Sequence, residues 1–474
     1  MGLVPRRTAM TAAAVIAAVT TALAGAPAAL AGPPAPDGTV RDGPVRDGTA
    51  RDGTARDGTA RVRVEIPGPE SGTAAGSGHI EVPRTAPADR ARTGSRLPEA
   101  ARAADGQVTK LIDNGVPADR LDIVVVGDGY TADQLERFHA DARQKWAEIA
   151  AVEPYATYRE LFNVWTVDAV SNESGVSGDP GADVVRDTAL GSYFWCDGIE
   201  RLLCVDQECT DAYVARAPEA DLVLVLANSA KYGGAGYNEP SPTLGYEGIS
   251  TASAGNAKSG QVALHETGHS LGKLADEYFY PDYPGYERYE GPEPADGNVS
   301  TLGADAMAAQ GAKWHRWLGE TSPDGGPVGT YEGGGYYVQG LNRPTDNSLM
   351  RSLGRPFNLP GLEAMIAGFH RHANLLTPRT PTDRILRPGS VAEVDVPRLA
   401  PADGRQATVR WYLDGKELER YAGRTRVRAT ELIPSLLDGR THRLTVTAED
   451  RTPSVRDPRI AAALSSSAGW YVRL

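Results

Sequence analysis

The longest apolar runs fall in the middle of the chain. Leu121-Asp122-Ile123-Val124-Val125-Val126 is almost continuous in branched apolar residues, which predicts a strand covered on both faces. Gly127-Asp128-Gly129-Tyr130 reads as a turn. Thr131, with Gln134 three residues on, forms a capping box that opens a helix. That helix carries Leu135, Phe138 and Trp146 and runs to about Ile149. Segments 161–167 and 222–226 read as further strands, and Tyr232-Gly233-Gly234-Ala235-Gly236 as a bend or bulge. This succession predicts an α+β or α/β domain over 108–378, a mixed sheet with helices packed on it. From residue 379 the texture becomes all β. Segments 391–396, 407–413, 425–429 and 442–448 alternate apolar with polar, and Asp414-Gly415 reads as a hairpin turn. That spacing predicts an immunoglobulin-like β-sandwich over 379–474.

Residues 1–31 read as a secretory signal. Arg6 and Arg7 are its positive start, an apolar run follows from Met10 to about Leu30, and Ala29-Leu30-Ala31 is a small-x-small cleavage site. Gly25 and Pro27 interrupt the run, which argues against a membrane anchor. No later stretch is long and apolar enough to span a bilayer. The expectation is a secreted, extracellular protein with no integral span after cleavage. From Val40 an Arg-Asp-Gly-Thr-Ala unit recurs with period five and no large apolar residue. Such units cannot bury enough surface to offset chain entropy, so 32–62 reads as a disordered linker. Residues 63–107 read as an N-terminal extension or pro-segment, whose first part alternates as one or two strands would.

Composition narrows the class. With 49 Lys+Arg against 61 Asp+Glu, the 474-residue chain carries a net charge of −12, which excludes the basic footprint of a nucleic-acid binder. Three cysteines are too few for a disulfide scaffold. In an exported chain Cys196 and Cys204 would close a short loop, leaving Cys209 over or competing with Cys204.

The informative stretch is His265-Glu266-Thr267-Gly268-His269-Ser270-Leu271-Gly272-Lys273-Leu274-Ala275-Asp276-Glu277-Tyr278. Four residues apart on a helix, His265 and His269 share one face and can hold one Zn²⁺. Glu266 lies beside the metal position, where a carboxylate can take the proton of a metal-activated water. Apolar Val262-Ala263-Leu264 suits a buried helix, and Gly272 is placed to end it by turning left-handed. A zinc site usually takes three protein ligands. Asp276 is the preferred third and Glu277 the second choice, with a supporting bond to a ligand histidine as the other role for Glu277. His315, His370 and His372 read as surface or capping residues. Met350, about 80 residues beyond the helix, is placed as a Met-turn residue would be. Tyr278, Tyr336, Tyr337 and His315 are candidate donors to an oxyanion. Residues 232–236 could be an edge strand onto which substrate adds as a β-strand. Asp282, Glu287, Glu290 and Glu293 lack calcium-loop spacing.

Five separated segments in order, VVVGDGYT, KYGGAGY, HETGHSLGKLADEY, Lys313-Trp314-His315-Arg316-Trp317 and NRPTDNSLMRS, resemble the IgA-peptidase family of secreted bacterial zinc metallopeptidases. The resemblance covers roughly 110–375. It implies a metzincin-like fold, endopeptidase activity on a protein or peptide substrate, and one Zn²⁺ held by His265, His269 and Asp276. It further implies Glu266 as general base and Met350 as the Met-turn. It does not imply immunoglobulin A as substrate. The rival readings are a binding protein with a structural zinc and an adhesin-like protein acting through its β-sandwich.

Overall fold

Eight strands build one mixed sheet: β1 (Arg61–Ile66), β2 (Gly78–Pro83), β3 (Val108–Ile112), β4 (Leu121–Asp128), β5 (Phe162–Val167), β6 (Leu222–Ala227), β7 (Gly234–Tyr237) and β8 (Ile249–Ser253). Their spatial order is β2-β1-β7-β8-β6-β4-β5-β3. The computed structural model describes residues 60–68, 70, 78–87, 97–435 and 438–473, all within the unit Arg41–Leu474. The expected signal, 1–31, and residues 32–59 of the expected linker lie outside the described residues.

The apolar runs become the centre of the sheet. All eight residues of β4 are buried, and β4 pairs in parallel with both β5 and β6. Period-two alternation sends Ile123 and Val125 to one face and Val124 and Val126 to the other. On the first face the helix Leu135–Ile149 packs through Phe138, Ala142, Trp146 and Ile149, alongside Ala263 and Leu264 of the helix Ser259–Ser270. Its start is as the pattern implies, with Gln134 Oε1 accepting the Thr131 N–H at 3.2 Å, although a short 3-10 turn over Ala132–Gln134 precedes the α-helix. The second face, to which the β1–β2 hairpin adds Val62, Val64, Ile66, Ile80 and Val82, is covered by the segment that carries the Cys196–Cys204 disulfide, with Cα atoms 5.9 Å apart. Cys209 lies outside that bridge.

Residues 232–236, read both as a bend or bulge and as a possible edge strand, supply Gly234–Gly236 of β7, antiparallel to β8. Its glycines mark close approaches rather than a turn. A Cβ on Gly234 would lie 2.5 Å from the Thr251 carbonyl oxygen, and one on Gly236 would overlap the Glu266 carboxylate.

Further along lie the hairpin strands β9 (Tyr331–Gly334) and β10 (Tyr337–Arg343). The C-terminal part holds two antiparallel sheets. One orders β11 (Thr377–Pro378), β12 (Val391–Asp395) and β15 (Arg426–Arg428). The other orders β14 (Lys416–Glu417), β13 (Thr408–Leu413), β16 (His442–Glu449) and β17 (Ser465–Val472). Asp414 (φ 50°) and Gly415 (φ 81°) make the expected β13–β14 turn, both in the left-handed region that a type I′ hairpin requires. Trp411 and Trp470 stack in its core with centroids 5.9 Å apart. That core is continuous with Leu362, Met365, Ile366 and Phe369 of the helix Leu359–His372. The Leu375 N–H on Ser466 Oγ (2.9 Å) and the Ala400 N–H on the Thr157 carbonyl (2.8 Å) tie the two parts together.

The last residue of that helix makes a pH-dependent tie to the sheet. His372 bonds Asp221 through Nδ1 (2.9 Å) and Glu247 through Nε2 (3.1 Å). Burial alone would lower its pKa, but the two carboxylates raise it to about 9. The bond from His372 likewise lowers Glu247 to about 2. A raised histidine stabilises fully below its unfolded pKa and loses that contribution as pH rises through about 9; the lowered Glu247 contributes above its unfolded value and loses it as pH falls through about 2. His372→Ala is therefore expected to cost on the order of 2 kcal/mol near pH 6. Thermal unfolding should show the gap from wild type closing above pH 9; an equal gap at pH 6 and pH 10 would refute this ionic tie.

Candidate functional site

The helix Ser259–Ser270 is buried on nearly every side. It lies against β7 and β8 on one flank and the loop around Met350 on the other. Gly268 makes the second contact: a Cβ there would overlap the Met350 thioether. Both helix histidines are turned by backbone carbonyls. His265 Nδ1 lies 3.1 Å from the Leu349 oxygen and His269 Nδ1 2.6 Å from the Leu274 oxygen. A carbonyl only accepts, so each Nδ1 carries the hydrogen and each Nε2 is directed inward. The two Nε2 atoms are 3.1 Å apart.

The helix does not end on a left-handed glycine. Lys273 takes that conformation (φ 50°), while Gly272 is required for space, since its Cβ would lie 2.6 Å from the Gly268 oxygen. The chain then doubles back. Asn298 holds it by accepting the Ala275 N–H and donating to the Ala275 carbonyl, both at 2.8 Å. Asp276 is thereby delivered to the histidines, with Oδ1 3.1 Å from His265 Nε2 and 3.4 Å from His269 Nε2. Asp276 Oδ1 is buried and has no hydrogen-bond partner, whereas Oδ2 accepts the Tyr336 hydroxyl at 2.6 Å. Glu277 points elsewhere. Its carboxylate accepts from Ser348 Oγ (2.7 Å), Asn358 Nδ2 (2.9 Å) and Asn298 Nδ2 (3.0 Å), which fastens the Met350 loop and supports neither histidine ring.

A fourth group was not singled out from the sequence. Glu65 of β1 enters the site with Oε1 3.0 Å from His265 Nε2 and Oε2 2.8 Å from His269 Nε2. Glu65, His265, His269 and Asp276 are all buried, offer ligand atoms within 4.8 Å of one another, and are the group able to hold a metal ion among the described residues. The donor set fits such an ion. Two ring nitrogens 3.1 Å apart are close to the spacing of ligands on one tetrahedral centre with bonds of about 2.0–2.1 Å, and the orphaned Asp276 Oδ1 faces the same point. Without a cation, burial disfavours charged rings. The Glu65 and Asp276 carboxylates override this, raising His265 to about 10 and His269 well above its usual value.

Glu266 stands beside the cluster. Its Oε2 accepts Asn238 Nδ2 at 3.2 Å and its buried Oε1 has no partner. Burial first, and the Glu65 charge second, hold its pKa well above the ordinary glutamate range. Tyr336 is kept in a left-handed conformation (φ 75°), and its hydroxyl meets both Asp276 and His79. Tyr278 Oη reaches Glu65 at 3.4 Å. Tyr337 instead packs on Tyr286 and Tyr289. His315 bonds within its own turn, His370 packs on Tyr158, and His372 makes the tie described above; none joins the cluster. Nor do the acids 282–293; Glu293, for example, accepts from Ser300 and Thr301. Asn238, Asn298 and Asn358 were not legible as site residues, because an isolated asparagine carries no spacing signal.

Two imidazoles, a carboxylate aimed at the same point and a second glutamate beside a sheet strand fit a peptidase able to hold a metal ion. Residues 109–327 match the family model described as IgA Peptidase M64, which supports membership of that family. No curated protein matches the chain.

Proposed function

We propose that the chain is a secreted zinc-dependent metalloendopeptidase. The observation that carries this reading is the convergence of His265 Nε2, His269 Nε2 and the partnerless Asp276 Oδ1 beside an equally partnerless Glu266 Oε1. Nitrogen and carboxylate donors in a set of three suit catalytic Zn²⁺. Bound there, the ion would supply Lewis acidity that polarises the scissile carbonyl and lowers the pKa of a nearby water. Glu266 then takes the proton of the attacking water on Oε1 and passes it to the leaving amine, while Asn238 keeps the carboxylate aimed. Burial raises its proton affinity, which suits a group that must hold a proton between two steps.

Met350 beneath the helix supports a metzincin-like arrangement of the site. The reading divides the chain into a peptidase domain over 108–378 and an immunoglobulin-like accessory sandwich over 379–474. Export rests on the signal pattern of 1–31. The Cys196–Cys204 bond supports it, since disulfides persist in oxidising compartments. The test is mass-spectrometric mapping of the termini released from an unfolded protein such as casein. Internal cuts that vanish on chelation and return with Zn²⁺ are expected. Trimming from chain ends alone would replace endopeptidase by exopeptidase, and no cuts would favour the binding-protein reading.

A further inference from the structure

β1 serves the core with one face and the site with the other. Val62, Val64 and Ile66 face the apolar core, so period two turns Arg61, Arg63 and Glu65 the other way. Of those three only Glu65 is buried, at 1% exposure. Its carboxylate meets His265, His269, Tyr278 and Asn238, all of them in or against the candidate site. Carboxylate oxygens at 2.8–3.0 Å from two inward-facing Nε2 atoms need positive charge between them, supplied by ring protons or by a metal ion. The strand also lies along β7, paired through Glu65 and Gly236. The sheet order makes β7 the edge of the peptidase sheet once the hairpin is set aside. An extended substrate would have to pair along that same edge.

We propose that Glu65 is a fourth protein ligand of the metal and that the hairpin β1–β2 is an intramolecular occupant of the substrate edge, holding the peptidase latent. This rests on the metallopeptidase reading above. Four protein ligands close a site that a catalytic centre keeps open at one position. Further contacts, two away from the cluster and one beside it, hold the hairpin in place. Tyr232 Oη donates to the Gly68 carbonyl at 2.5 Å, Arg201 Nε to the Pro67 carbonyl at 2.8 Å, and His79 of β2 meets the Tyr336 hydroxyl. Since Tyr336 also holds Asp276, both strands of the hairpin reach metal-site residues.

The test uses the full chain and its Glu65→Gln and Glu65→Ala variants, each loaded with Co²⁺ in place of zinc and each assayed on casein. Two variants guard against one folding poorly. The visible Co²⁺ spectrum of both variants should differ from wild type and shift on adding azide, which can enter an opened position, while wild type stays unchanged. Casein cleavage per bound metal should rise at least tenfold in the variants. A wild-type spectrum that responds to azide as the variants do would overturn the closed site. Equal or lower cleavage in both variants would overturn latency and, if wild-type cleavage is metal-dependent, leave the peptidase reading intact. A chain that takes up no metal would overturn both.

Discussion

Glu266→Gln is expected to lower kcat by about 10²–10⁴-fold, the usual contribution of a positioned general base, while metal content and thermal stability stay near wild type. The substitution keeps the side chain's length and shape. Glutamine can still accept the Asn238 amide, the one hydrogen bond that the Glu266 carboxylate makes at 3.2 Å. What it loses is the ability to take a proton on Oε1, which has no partner in the folded chain. The helix should be undisturbed, because Glu266 packs against Gly236 and an amide occupies the same space. Removing a buried carboxylate with a raised pKa relieves rather than creates a desolvation cost. Kinetics on a peptide substrate with parallel metal analysis make the check. Wild-type turnover in Glu266→Gln would remove the residue from the reaction.

Asp276→Ala is expected to weaken metal binding by more than about 100-fold, since losing even an outer partner of a metal ligand costs 10–100-fold. The argument rests on Oδ1, which is buried, unsatisfied and within 3.1–3.4 Å of both ring nitrogens. Alanine also removes one of the two partners of the Tyr336 hydroxyl, which keeps His79, and so adds about 1 kcal/mol of destabilisation. Glu277→Gln is the matched control. It removes a charge one residue away, yet Glu277 serves Ser348, Asn358 and Asn298 rather than the cluster. That variant should keep its metal and lose stability instead. Competition with a coloured chelator reads both. Metal loss in Glu277→Gln with retention in Asp276→Ala would reverse the assignment.

What was legible in the sequence had a period or a spacing. The run 121–126 announces a doubly covered strand because it is short, continuous and rich in β-branched side chains, and Thr131 with Gln134 marks where the next helix begins. Two histidines four apart announce a shared face. Asp276 and Glu277 remained a choice, because the answer depends on the left-handed turn at Lys273 and the grip of Asn298 on Ala275, and neither leaves a pattern. β17 escaped notice because Ser465-Ser466-Ser467 and Gly469 have poor strand propensity. Only Ala468, Trp470 and Val472 face the core, and pairing with β16 decides the matter. Glu65 was hidden for a different reason. Its contacts to the helix span 200 residues, and a lone glutamate in an alternating strand looks like any solvent-facing position.

The most direct measurement of the central claim is anomalous diffraction at the zinc edge from crystals of the full chain grown with Zn²⁺. The account predicts one strong peak bonded by His265 Nε2, His269 Nε2 and Asp276 Oδ1, with a Glu65 oxygen as the fourth ligand proposed above. A zinc peak held by other residues, or no peak at this cluster in zinc-soaked crystals, would contradict it.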